Sequence, residues 1–441
     1  MLKLAIKNIL HKPLSLALSL TLFALGTALI TVLLLLNKQL GDQFDKNLAG
    51  IDLVIGAKGS PLQLILCNMY HIDAPTGNIS VEESRPFLNP RHPLISKAIP
   101  LSLGDNFKGY RIVGTTPGFL TLYDANFQKG RLWEKDFEVV VGAGVAEALE
   151  LKLGDTFYSA HGFLDDDDFL HDYTEPFKIV GMLEPSGSVI DHLVLCSSAT
   201  VVLVHAHHDE EDHGHEGHEM DSVTTTVSPS AIPEEGASYT EEQLLEWHAD
   251  AIEHLTSHED WDITSILVRF KGRNYQTLNM QRNINEQTNL QAATPAIEIN
   301  RLYLLLGVGI DALRALAILI MIVSGLSVFI SLLNALKERK YELALMRVLG
   351  ASKLKLLVLI LLEGGLIALG GYLIGAAVGH SAIGVLSGYM QDSYRYALDA
   401  TEFLPQEGYL LGSCIVLGML AALLPAIQAY GTDIAETLTR K

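Results

Sequence analysis

Six histidines crowd into one short stretch of this chain: His205, His207, His208, His213, His215 and His218, interleaved with Asp209, Glu210, Glu211, Asp212 and Glu216. Neutral imidazole is a strong ligand for zinc, copper and nickel, and the carboxylates add hard oxygen donors. The spacing matches no closed four-ligand structural site. It suits reversible capture or sensing of zinc or a similar transition metal, the alternative being a solubilising linker whose histidines are incidental. His248, His254 and His258 lie close to a helical face with Asp250 and Glu253 nearby; alone they read as surface residues. Asp165 to Asp168, flanked by His161 and His171, form a second acidic patch or a solvated loop. Three cysteines, Cys67, Cys196 and Cys414, are too few for a disulfide framework or a four-thiolate zinc site. Cys67 and Cys196 can pair only if the fold brings them together, and Cys414, inside an apolar run, reads as a packing residue. No nucleophile–base–acid arrangement is legible. Gly56-Ala-Lys-Gly-Ser60 has the wrong spacing for a phosphate loop, so any ATP must be bound by another polypeptide and no intrinsic cofactor is expected.

The elements that position these residues follow from composition. Of 441 residues 49% are hydrophobic and only 19% charged, yet the net charge is −20. Both facts fit one chain if apolar and acidic residues occupy different regions. An acidic balance excludes nucleic acid as a default partner, since phosphate binding needs clustered Lys and Arg. Four stretches are long enough to cross a hydrocarbon core of roughly 20 residues: Leu14–Leu36, Ala315–Leu336, Leu356–Ala382 and Gly408–Tyr430. The first is too long for a signal-peptide core and reads as an uncleaved anchor. Basic residues concentrate in three places: Lys3, Lys7 and Lys12; Lys337, Arg339, Lys340, Arg347, Lys353 and Lys355; and Arg440 with Lys441. Only Glu338, Glu342, Asp433 and Glu436 oppose them there. The positive-inside rule puts both termini and the 337–355 loop in the cytoplasm, and four crossings require the same.

The expected organisation is a cytoplasmic amphipathic segment 1–13, a first span 14–36, an extracytoplasmic α+β domain 37–310, and a second span 311–336. A cytoplasmic coupling loop 337–355, a third span 356–382, a short external loop 383–407, a fourth span 408–430 and a tail 431–441 complete it. Inside the large domain Asp52–Ile55, Tyr110–Val113, Glu138–Val141, Phe177–Val180 and Ser265–Phe270 read as strands. Gly144–Leu153 and Thr240–Ser257 read as helices. The polar tract 205–233 cannot bury enough apolar surface to offset its ordering entropy, and is expected to be a mobile inserted loop.

In 337–355, Leu343, Met346, Arg347 and Gly350 fall at helical spacing with Lys and Glu on the other sides, which predicts an amphipathic helix at the membrane face. Glu363, near the start of the third span beside Gly364-Gly365, is expected to make a structural hydrogen bond in a close helix packing rather than to conduct ions. Asp311 and Arg314 are expected to form a local ion pair.

The run Asn334-Ala-Leu-Lys-Glu-Arg-Lys-Tyr-Glu-Leu-Ala-Leu-Met-Arg-Val-Leu-Gly-Ala351, with Glu363-Gly-Gly365 and Gly370-Gly371, resembles the permease signature of MacB/FtsX-type ABC transporters. Leu424–Leu438 and Leu2–Leu10 resemble the same family's last span with its tail and its N-terminus. The likeness covers the membrane portion; the large domain matches by position alone. The resemblance implies a bacterial inner-membrane permease with a periplasmic domain, dimeric with itself or a related chain, and not itself an enzyme. A separate ABC ATP-binding subunit would drive it, docking at Glu338, Arg339, Glu342, Met346, Arg347 and Gly350. The expected function is mechanotransmission, with transition-metal handling and an extracytoplasmic metal-binding or adaptor partner suggested by the histidines. A scaffold activating a cell-wall hydrolase, as in the FtsX branch, and lipoprotein extraction, as in the LolC/LolE branch, are the alternatives.

Overall fold

The computed structural model describes residues 2–11, 13–161, 175–204, 232–394 and 398–431. They form two compact units: a helical one from Met1–Asp42 with Tyr303–Lys441, and an α+β one from Gln43–Leu302. Among the described residues four helices are long and apolar enough to cross a membrane, and the sheet-containing domain lies between the first and second.

The helical unit begins with α1 (Leu2–Leu10) and α2 (Pro13–Leu48). Its other spans belong to three helices of the second half of the chain, introduced below by range. Pro295–Glu338 and Pro13–Leu48 both continue past their apolar stretches and past the division between the units. Close packing explains several glycines of the third span, Gly364, Gly371 and Gly375 among them. A Cβ on Gly375 would lie 2.6 Å from the Ala24 carbonyl oxygen and overlap Thr27 Oγ1, and one on Gly371 would overlap Phe23. A Cβ on Gly364 would come within 2.5 Å of Gly418 O on the fourth span. Lipid tails are as apolar as leucine, so helices associate in a bilayer through such close approach and through hydroxyl pairs. The pairs are present too: Ser15 bonds Ser331, and four residues on Ser19 bonds Ser327 at 3.2 Å.

In the α+β unit the β-branched runs pair into one large sheet. It holds β1 (Leu53–Ala57), β3 (Ile95–Phe107), β4 (Tyr110–Thr115), β5 (Phe127–Gly130), β6 (Glu138–Val141), β9 (Phe177–Leu183), β10 (Leu193–Ser197), β12 (Ser265–Phe270) and β13 (Leu290–Ala293). Their order is β13-β1-β12-β3-β4-β10-β6-β9-β5. The short strands β7 (Thr156–Phe157) and β8 (Ala160–His161) pair with β9 and β3, while β2 (Ile79–Ser80) and β11 (Asp262–Ile263) form a separate two-stranded sheet. All five strands expected from the sequence are strands. β3 joins two halves, and its register shifts between Leu103 and Asn106.

Four helices complete the chain order up to the third-quarter of this unit: α3 (Pro61–Met69), α4 (Val81–Leu88), α5 (Ala143–Ala148) and α6 (Glu241–Ser257). After them come α7 (Tyr275–Gln287), α8 (Pro295–Glu338), α9 (Lys340–Val348), α10 (Lys353–Tyr394) and α11 (Pro405–Tyr430). Leu88 of α4, Ile252 and Leu255 of α6 and Ile284 of α7 pack with Ile55, Ile266 and Val268 into one core. Phe177, Ile179, Val139, Val194 and Cys196 form a second. The helix expected over 144–153 stops at Ala148: Glu150 takes a left-handed φ of 51°, which turns Leu151 and Leu153 back against the second core. Helix α6 starts one residue after Thr240, which with Gln243 makes a reciprocal capping box and satisfies two orphan N–H groups.

Candidate functional site

The basic loop of the helical unit folds into α9, a short helix flanked by the ends of α8 and α10. Leu343 and Ala344 are buried, and Met346 packs against the same apolar cluster as Leu336 and Leu356. Gly350 closes the helix at a φ of +98°, a left-handed conformation that glycine adopts at no steric cost. The opposite face is open. Glu338 and Glu342 are exposed, and Tyr341 (60%), Val348 (58%) and Leu349 (79%) expose large apolar side chains beside them. Of the residues expected to dock a partner, Glu338, Glu342 and Gly350 thus lie on the surface, Arg347 is half-buried, and Met346 is turned toward the bundle. Tyr341, Val348 and Leu349 were not singled out in the sequence, although their place opposite Leu343 at helical spacing carried the signal.

Arg339 has an internal task. Its Nη2 donates to the Asn8 carbonyl oxygen at 2.7 Å, and Asn8 Nδ2 donates to Glu363 Oε1 at 2.7 Å. The amphipathic N-terminal helix, the junction of α8 and α9 at Arg339, and the third span are therefore joined through one asparagine. Glu363 makes the structural hydrogen bond expected of it. The local ion pair also forms, with Arg314 Nη1 2.9 Å from Asp311 Oδ1.

A second polar centre sits toward the other end of the bundle. His380 Nε2 lies 3.0 Å from Glu407 Oε2, and His380 Nδ1 lies 2.7 Å from the Ala400 carbonyl oxygen. Glu407 Oε1 also accepts from the Leu404 backbone N–H at 3.1 Å, and Tyr372 OH donates to Glu407 O. Spacing along one helix does not reveal this pair, because the partner of His380 lies 27 residues on in the next helix.

The histidine loop His205, His207, His208, His213, His215 and His218 lies outside the described residues, as do Asp165 to Asp168 and His171. Among the described residues no group of three or more His, Cys, Asp or Glu side chains is gathered as a metal site. His248 is separated from the other two histidines of α6. Its Nδ1 lies 2.8 Å from Thr116 Oγ1, its ring packs on Gly118, and burial, then Lys97, pulls its pKa down to about 4. His254 and His258 stay together at the end of the helix, with ring centroids 5.0 Å apart. Cys67 and Cys196 are both buried and unpaired. Burial raises the Cys67 thiol despite the Arg111 guanidinium beside it, and burial pushes Cys196 up as well. A concavity of about 410 Å³ is lined by Lys46, Thr121, Tyr123, Asp124, Ser188 and Arg269 among others. Charged and hydroxyl groups dominate that lining, unlike the apolar walls of a typical small-molecule site.

Two family models match. The MacB-like periplasmic core domain covers residues 16–242, about half of the chain, and the FtsX-like permease C-terminal domain covers 314–434. The chain belongs to the MacB/FtsX-type ABC permease family. No curated protein matches it. As a MacB/FtsX-type permease it is a membrane transporter subunit of the ABC class, and the family implies an ABC ATP-binding partner and dimerisation. The second match takes in α9, Glu363, His380 and Glu407, so the His380–Glu407 pair lies wholly inside it, whereas Asn8 lies outside both matched segments. Residues 243–313, which hold most of α6 together with β12, α7 and β13, lie between the two matched segments.

Proposed function

We propose that this MacB/FtsX-type permease couples ATP hydrolysis by a separate cytoplasmic subunit to movement of its α+β domain on the other side of the inner membrane. The observation that carries the reading is the open face of α9. There the exposed Lys337, Glu338, Lys340 and Glu342 accompany four exposed apolar side chains, Tyr341, Leu345, Val348 and Leu349, beside a face locked into the bundle. Exposed apolar side chains interleaved with charges are what a helix docking into a groove of a partner presents. The excess of Lys and Arg in the same loop and at both ends of the chain supports a cytoplasmic placement for them. Continuous helices α2 and α8, which enter the α+β unit from the spans, supply a mechanical path. Substrate passage between the helices is not required by this scheme.

The reading extends to transition-metal handling, with zinc the first candidate. Its support is the set His205, His207, His208, His213, His215 and His218 with its interleaved carboxylates. The test has two parts. The purified permease alone should hydrolyse no ATP, and should do so only with its ATP-binding subunit; turnover by a preparation free of that subunit refutes the coupling scheme. Equilibrium dialysis with zinc should show excess binding that is lost when the six loop histidines are replaced by Gln. Equal stoichiometry in the two chains removes the metal reading and leaves the coupling scheme standing.

A further inference from the structure

We propose that His254 and His258, at the C-terminal end of α6, form a two-imidazole site for a divalent transition metal of the zinc, copper or nickel class, with Trp261 as its backing wall. The inference deepens the metal-handling reading and rests on it for biological purpose, but its geometry is independent of the 205–218 segment.

Spacing comes first. Residues four apart on a helix lie one above the other, which brings the two rings to a centroid separation of 5.0 Å with planes tilted 55°. Two imidazoles that share one ion through bonds of about 2.1 Å, at a tetrahedral angle, place their ring centres about 5 Å apart. The pair is therefore close to a chelating distance without movement of the backbone.

The ring of His258 is also oriented. Its Nδ1 lies 3.1 Å from the His254 carbonyl oxygen, and Ser257 Oγ donates to the same oxygen at 2.6 Å. The tautomer that satisfies this contact carries its proton on Nδ1 and leaves the Nε2 lone pair free for a metal. Metal-bound histidines are held in this way, with the second ring nitrogen donating to a carbonyl or carboxylate. The plane is fixed from the other side, because His258 stacks on Trp261 with centroids 4.0 Å apart and planes 13° from parallel. Trp261 is buried against the first core, and His254 also meets it edge-on at 5.8 Å.

The turn that carries the pair is pinned. Arg85 of α4 donates to the Thr256 carbonyl oxygen at 2.9 Å and pairs with Glu259 at 2.7 Å. A ligand pair that is already ordered loses little entropy on binding. His254 is exposed at the surface and His258 half-exposed, so an ion reaches both.

Two protein ligands leave the remaining positions to water or to a donor from another molecule. Such a site exchanges its ion readily, unlike a closed structural site. It lies in the segment between the two family matches, in a part of the chain that neither matched domain accounts for.

The test uses the full-length permease in detergent and Cu2+ as the probe, because bound copper quenches a nearby indole. Tryptophan fluorescence is titrated with Cu2+ and the quench is then competed with Zn2+. Three chains are compared: wild type, His254→Gln, and the chain with all six loop histidines changed to Gln. His254 is exposed, so its replacement leaves the core and the His258–Trp261 stack in place; His258→Gln is a second variant at the same site. The proposal expects a saturable, Zn2+-reversible quench in the wild type and in the loop variant. In His254→Gln and His258→Gln the same quench should need roughly tenfold or more copper, since the second imidazole no longer binds intramolecularly. Identical titrations in wild type and His254→Gln overturn the site, and so does the absence of a saturable quench in the loop variant. Loss of zinc stoichiometry on removing the loop histidines, read by dialysis, reports on the loop alone and separates the two readings.

Discussion

Asn8 Nδ2 and Glu363 Oε1 lie 2.7 Å apart, joining the N-terminal helix to the third span across 355 residues of chain. Glu363 is buried, so this bond and the Asn8–Arg339 contact behind it decide what the acid is for. An intramembrane carboxylate that carries protons must ionise, whereas one that accepts a hydrogen bond needs only its oxygen.

Glu363→Gln should therefore leave the folded permease and its coupled turnover close to wild type, because an amide oxygen still accepts from Asn8. Glu363→Ala should cost about 1 kcal/mol through the half-buried Asn8 amide that loses its acceptor. Thermal unfolding in detergent and stimulated ATP turnover provide the comparison. Equal damage from both substitutions would show that the negative charge itself is needed.

Gly375→Ala should be more harmful than its single methyl suggests. The added carbon meets Thr27 Oγ1 and the Ala24 carbonyl oxygen, and the backbone atom cannot be relieved by a rotamer change. Overpacking of this kind costs about 1–3 kcal/mol or more. The second substitution Thr27→Ala should recover only part of the loss. Gly365→Ala, where the nearest atoms are 3.9 Å away on Met419, serves as the tolerated control. Monodisperse yield by size-exclusion chromatography reads both.

Acid should weaken the α+β domain from about pH 6.5 downward through two buried histidines. His248 has its pKa pulled down to about 4, by burial first and then by Lys97, and His71 is pulled to about 3 by burial and Arg111. Unfolded histidine takes up a proton near about pH 6.5, so below that pH the unfolded chain binds more protons than the folded one. The stabilisation is complete above about pH 6.5 and is lost as pH falls toward the folded values. His248→Gln, which can keep a bond to Thr116, should reduce the slope of unfolding temperature against pH between about 6.5 and 4; His71 retains its share. An unchanged slope would assign the acid sensitivity elsewhere.

Local patterns were legible and distant partners were not. Leu53–Ala57, Tyr110–Thr115 and Glu138–Val141 announce themselves as strands because their branched apolar residues favour a pleated, buried backbone. The longest strand, Ile95–Phe107, was missed because Pro100 and Gly104 read as turn signals, while its neighbours β4 and β12 hold it extended on both sides. The periodicity of 337–355 gave the helix and its buried Leu343. It did not separate Arg339, which bonds the Asn8 carbonyl, from Glu342, which faces solvent. Nor does spacing reveal that His248 is occupied by Thr116 while His254 and His258 stay together.

The central claim is that nucleotide in the partner subunit moves the α+β domain through α9. It is tested most directly by the distance between two spin labels on one chain, at the exposed positions Tyr275 of α7 and Phe403 before α11, each changed to cysteine. The native cysteines are buried, which keeps labelling selective. Doubly labelled permease, diluted with unlabelled chain, is reconstituted with its ATP-binding subunit, and the distance is measured without nucleotide and with ATP trapped. The expected result is a distance distribution that shifts on trapping ATP, and a shift that vanishes when Glu342→Lys and Leu349→Asp disrupt the open face of α9. An unchanged distribution in the wild-type complex, or the same shift in the altered one, would contradict the account.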